Sequence, residues 1–263
     1  MCFSANPIYN WAVTKLRHNR LLFKELNNKN MSWEIKTPQA AKVNARIAGL
    51  IGMIVLVTGS FAHSVSLKLL DYNDAIKTSE YLLNSKLLFR LGFVSGLLMQ
   101  TIFIFYALFL YKLLKNIDSF FASLMMIFVL IPVPIFLINQ LNQFAVFILA
   151  EKHNEAQMLF FLDLHIYGGY IVSIFYGLWL FPLGYLVFKS GFLPKVLGIL
   201  LMIGCFGYLI SFIQGFLFSN IQNTLWTNPF LIITHIAELF LMIWLLIMGV
   251  NKGNWKKRMT EHN

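Results

Sequence analysis

A chain of 263 residues with 58% hydrophobic and 12% charged side chains lies far from the soluble balance of about 45–50% and about 25%. Its 26 phenylalanines cannot all be hidden in a globule of this size, because small domains leave much of their apolar area exposed, so the excess is solvated by lipid. A formal charge of +10 suggests nucleic acid in a soluble protein, but here the basic residues cluster between apolar runs and read as topology signals, which leaves the bilayer as the expected partner and no nucleic acid.

Residues 1–40 read as a cytoplasmic tail. Met1 to Asn30 holds no apolar run of 7–15 residues followed by small residues, so insertion is expected to use the first true span. Between residues 8 and 26, Ile8, Trp11, Ala12, Leu16, Leu22, Phe23 and Leu26 share one helical face opposite Arg17, Arg20 and Lys24. A basic amphipathic helix on the inner leaflet is one reading. Lys15 intrudes on the apolar face, and Met31 offers a second start, so an upstream extension or a disordered tail is the other. Cys2 and Cys205 lie far apart in depth, which supports neither a disulfide nor a cysteine metal site.

A hydrocarbon core about 30 Å thick needs about 20 apolar residues in helical form. Six segments qualify: residues 47–67, 91–111, 124–146, 164–187, 196–217 and 229–250. Each must be helical, because lipid offers backbone groups no partner. Pro132 and Pro134 predict a kink in the third, and Pro182 lies inside the fourth. The expected fold is therefore an all-α integral membrane bundle of six transmembrane helices over residues 41–250, followed by a basic tail at 251–263.

Lys and Arg set the orientation. One side carries eight in the N-terminal tail, two in the second loop, two in the fourth and four in the C-terminal tail, 16 against 5 on the other side. Both termini are thus placed in the cytoplasm and the protein in the inner membrane of the cell. Trp226 and Tyr72 fall near the outer boundary and Trp255 near the inner one, where amphipathic rings prefer to sit. Small residues four apart, Ala48 with Gly52 and Gly92 with Gly96, either admit close helix approach or occur by chance.

The stretch from Gly177 to Lys195, GLWLFPLGYLVFKSGFLPK, reads as two helices joined by a tight basic turn. It resembles the bacterial multi-pass membrane family catalogued as domain of unknown function 4386, as do ARIAGL at 45–50 and Glu238 followed by WLLIMG at 244–249. The resemblance covers about residues 40–250. It implies a multi-span membrane protein and carries no catalytic residues.

Ionisable groups inside spans are costly, roughly 2.5–3.5 kcal/mol for Asp, Lys or Arg at a helix centre, so each is a functional candidate. His63, His165, His235 and Glu238 fall in the outer halves of their spans, as do Asn139, Asn142 and Gln214. A polar pocket open to the outer side is the natural inference, with His235 and Glu238 three apart on one helix face. Its expected occupant is an unidentified small molecule or a proton. A partner for Glu238 is expected in a histidine, an asparagine or Arg90. His63, His165, His235 and Glu238 also form a zinc-ligand inventory, which would suit a membrane-embedded hydrolase, although no His-Glu-x-x-His and no pair of histidines one turn apart is present. A scaffold held by interhelical hydrogen bonds is the third reading. Asp163 is expected to cap the fourth span or face interfacial water, Trp179 and Trp244 to pack, and His18, His153 and His262 to be solvated. Gly168 and Gly169, beside His165, mark either a ligand approach or a tight crossing.

Overall fold

Thr37 and Pro38 start the first helix. The Thr37 hydroxyl accepts from Ala40 N–H at 3.1 Å, and proline suits the first turn because its missing N–H would find no partner there. In the computed structural model, which describes Lys15, residues 34–218 and residues 228–260, this helix, α1, runs Pro38–Leu69. It begins nine residues before the expected span, so Lys42 and Arg46 ride on it as its basic entry. The amphipathic segment at 8–26 and Trp226 lie outside the described residues apart from Lys15. The described residues from Thr37 onward form one compact unit.

A short helix, α2 (Ala75–Asn84), fills the first loop, its N-cap Asp74 accepting from Lys77 N–H at 3.0 Å. Next come α3 (Lys86–Leu114), α4 (Ser119–Leu130) and α5 (Pro132–Glu151). The break between α4 and α5 falls at Ile131, which keeps helical angles (φ −62°, ψ −48°), so Pro132 interrupts the hydrogen-bond ladder without ending the helical course. Two more, α6 (Glu155–Leu178) and α7 (Leu180–Ser190), divide at Trp179, three residues before Pro182, because the proline leaves the Leu178 carbonyl without its i+4 donor. Then follow α8 (Lys195–Leu217), α9 (Pro229–Ile247) and α10 (Lys252–Thr260).

Six helical segments are long and apolar enough to cross a bilayer: α1, α3, α4 with α5, α6 with α7, α8 and α9. Each packs beside its neighbours in sequence, and α9 returns to α1. Unlike a soluble protein's, the surface is as rich in large apolar side chains as the core. Val57, Leu67, Phe120 and Ile138 are more than 60% exposed, whereas Gln100, Asn139, Gln140, Gln143, Asn228 and Thr234 are buried. With lipid as solvent, apolar side chains face outward and polar ones pair between helices. This is a multi-pass membrane protein.

The small residues mark close crossings. A β-carbon on Gly49 would strike the Leu246 backbone on α9, and one on Gly92 would strike Val65 on α1. In the hairpin, Gly184 and Gly198 face each other, each β-carbon position falling within 2.7 Å of the other residue's carbonyl oxygen, and Gly191 turns the chain at φ +72°. Asp163 does not take the first of its two expected roles, the cap of a helix. The α6 helix begins eight residues earlier, after Asn154, and Asp163 is an exposed residue within it, because the helix extends beyond the apolar run at 164–187. Trp255 is buried rather than set against lipid, since α10 folds back on α1.

Candidate functional site

The seven expected pocket residues do not converge. His63 is exposed on α1. His235 is exposed too, its Nδ1 2.6 Å from the Leu231 carbonyl one turn back and its ring centroid 6.1 Å from that of Tyr208 on α8. Asn139, Asn142 and His165 form a cluster of their own where α5 meets α6. Asn139 Nδ2 donates to the His165 carbonyl at 2.9 Å, Asn142 Nδ2 donates to Asn139 Oδ1 at 3.0 Å, and His165 Nδ1 lies 3.4 Å from the Asn139 carbonyl. Gly168 belongs to the same crossing, since its β-carbon position is occupied by the Asn139 side chain, whereas the position on Gly169 is open. Gln214 is partly buried near the end of α8. Among the described residues no three His, Cys, Asp or Glu side chains gather in a way that could hold a metal ion, so the zinc inventory is not assembled. Arg90 does not pair with Glu238, its guanidinium lying 5.6 Å from the Phe147 ring centroid.

Glu238 is built into a different site. It stands at the middle of the 19-residue α9, nine residues from either end, about 13 Å by helix rise. The α8–α9 contact orients it. Thr234 donates to the Gly204 carbonyl at 2.5 Å, and Asn228 Nδ2 donates to the Gly207 carbonyl at 2.8 Å and the Ser211 hydroxyl at 2.9 Å. Gly207 admits this approach, because a β-carbon there would meet the Phe230 carbonyl oxygen at 2.8 Å. With the helices so close, Tyr208 on α8 points its hydroxyl at Glu238 Oε2, 3.4 Å away.

Tyrosines continue the site inward. The Tyr208 ring centroid lies 6.0 Å from that of Tyr176 on α6, and the Tyr176 hydroxyl donates to Gln100 Oε1 on α3 at 2.5 Å. Glu238 also interacts electrostatically with Tyr106 on α3 and with Tyr176. Phe103 stacks edge-on against both Tyr176 and Trp179, and Tyr106 edge-on against Trp179. A carboxyl, three phenols and an amide from four spans thus meet inside the bundle. Two buried donors there, Gln100 Nε2 and Trp179 Nε1, have no acceptor among the described residues. An unpaired buried donor costs about 1–3 kcal/mol, so both are available to an acceptor brought from outside.

These tyrosines carry no formal charge and so do not stand out in the sequence as Glu238 does. Their signal is depth: Tyr106, Tyr176 and Tyr208 lie well inside apolar segments, away from the boundary level where tyrosine is expected.

Over 140 residues the chain is 31% identical to a protein of Archaeoglobus fulgidus named "Uncharacterized protein", an alignment spanning 53% of this chain and 72% of the relative. No solved structure matches it. A family model described as "Domain of unknown function (DUF4386)" matches residues 47–249, from the first span to the end of the sixth. The chain therefore belongs to the DUF4386 family.

Proposed function

We propose that this membrane protein handles a small polar ligand or a proton at Glu238, within the ring of spans. The observation that carries the proposal is a half-buried carboxyl at mid-span whose Oε2 faces the Tyr208 hydroxyl, with unsatisfied donors on Gln100 and Trp179 in the adjoining cluster around Tyr176 and Phe103. An acid at that depth is costly and persists where its chemistry is used. Tyr208 can pass a proton to or from it, and Tyr176 with Gln100 extends the polar path toward α3. In this reading the tails lie in the cytoplasm and the protein sits in the inner membrane, which the concentration of Lys and Arg at one end supports.

The test uses full-length protein in proteoliposomes under an imposed pH gradient, with an internal pH dye, and in parallel a small-molecule thermal-shift screen at pH 6 and pH 8. Glu238→Gln and Tyr208→Phe should each reduce proton flux, or abolish the stabilisation by whichever compound the parent binds. If both variants match the parent in flux and in ligand response, and Glu238→Leu is at least as stable as the parent, the site is only a packing contact and the scaffold reading stands.

A further inference from the structure

A cavity of about 670 Å³ opens at the basic end of the bundle, among the start of α1, the turn between α7 and α8, and the passage from α9 into α10. Four contacts gather that end: Arg46 donates to the Ile247 carbonyl at 3.0 Å, Asn44 to the Phe109 carbonyl at 2.9 Å, Asn251 N–H to the Phe192 carbonyl at 3.1 Å, and Asn254 Nδ2 to the Gly191 carbonyl at 3.0 Å. Lys42 and Lys252 line the cavity and, among the described residues, no carboxylate does. Among the described residues neither lysine forms an ion pair, whereas Lys77, Lys86 and Lys189 each have a carboxylate partner within 2.9 Å.

Three features shape this space for a ligand at the membrane surface. Gly249, at φ +68°, ends α9, and a β-carbon there would lie 2.9 Å from Lys42 Cγ, so only glycine leaves the lysine stem its place. The N–H groups of Lys252 and Gly253 open the first turn of α10, where helix geometry supplies no acceptor. Trp244, expected to pack inside the span, is instead exposed on the wall three residues before the end of α9, and indoles near span ends meet headgroups. Cations, backbone donors and an interfacial indole together suit a phosphate diester joined to acyl chains.

We propose that this cavity binds the headgroup phosphate of an anionic phospholipid, held by Lys42 and Lys252. This site is distant from Glu238 along α9 and does not depend on the function proposed there. A phosphate held here would tie α1, the α7–α8 turn and α10 together.

The test is thermal unfolding of the full chain in detergent, titrated with dioctanoyl phosphatidylglycerol, dioctanoyl phosphatidylcholine and glycerol 3-phosphate. Phosphatidylglycerol should raise the melting temperature in a saturable way and phosphatidylcholine should not. Lys42→Gln combined with Lys252→Gln should weaken the response by roughly tenfold to thirtyfold, because each lysine beside an anionic headgroup contributes about a factor of five. Lys256→Gln with Lys257→Gln, which removes two charges from the same helix outside the cavity, should leave it unchanged. Lys252→Gln alone, on the exposed terminal helix, keeps the test intact if the double variant does not fold. A response to glycerol 3-phosphate that the cavity double variant loses would support the phosphate site while assigning it to a soluble ester. Equal stabilisation by the two lipids, or equal loss in the two double variants, would overturn the proposal.

Discussion

Replacing Gly49 by alanine should drive α1 away from α9. The new β-carbon would fall on the Leu246 backbone nitrogen and lie 2.7 Å from Leu246 Cα and 2.8 Å from the Leu245 carbonyl carbon. Carbon atoms in contact prefer about 3.5–4.0 Å, so the helices must part by about 1 Å, and a helix backbone cannot swing aside as a side-chain tip can. Overpacking of this kind costs about 1–3 kcal/mol. Alanine recovers about 0.5–1 kcal/mol over glycine in a helix interior, which leaves a net loss of up to about 2.5 kcal/mol. Gly169→Ala is the control, since nothing lies within 4 Å of its β-carbon position and only the helix preference acts. Thermal unfolding of both variants in the same detergent should show Gly49→Ala below the parent and Gly169→Ala level with it or slightly above. A Gly49→Ala variant as stable as the parent, or equal shifts in the two, would refute the crossing geometry.

Four more outcomes are expected. Reporter fusions after Lys115, Lys195 and Lys257 should all read cytoplasm, and an external signal after Lys195 would reverse the proposed topology. Asn139→Ala removes the bond to the His165 carbonyl and the acceptor for Asn142; denaturation should register a loss of about 0.6–1.7 kcal/mol, the range for interhelical hydrogen bonds in membranes. The Asp118 carboxyl is held below the usual carboxylate range, first by the Lys189 ammonium at 2.9 Å and then by the Phe121 N–H it caps. Its contribution is therefore complete above the unfolded value of about pH 4 and lost as pH falls through the lower folded value, so Asp118→Asn should flatten the acid side of a melting-temperature profile. Thr37→Ala, which removes the cap of α1, should cost about 1 kcal/mol in the same denaturation assay.

Much of the architecture is determined within single segments. A run of about 20 apolar residues has one stable form in lipid, which is why the six spans are legible, and Pro132 marks the break in the third because a missing N–H acts locally. Helix ends are less legible where the helix outlasts the apolar run, as with the basic entry at Pro38 and the start of α6 at Glu155. The site was legible in one residue. Glu238 stands out by depth and charge, but the direction a helical side chain faces depends on which neighbours pack against that helix. Only the tertiary structure turned His63 and His235 outward, paired Asn139 with His165, and brought Tyr106, Tyr176, Tyr208 and Gln100 around Glu238. The reason is that those residues lie on different spans, and nothing within one span specifies the rotation of another. That rotation follows from close crossings at glycines such as Gly49 and Gly207, where two backbones meet and fix which faces turn inward.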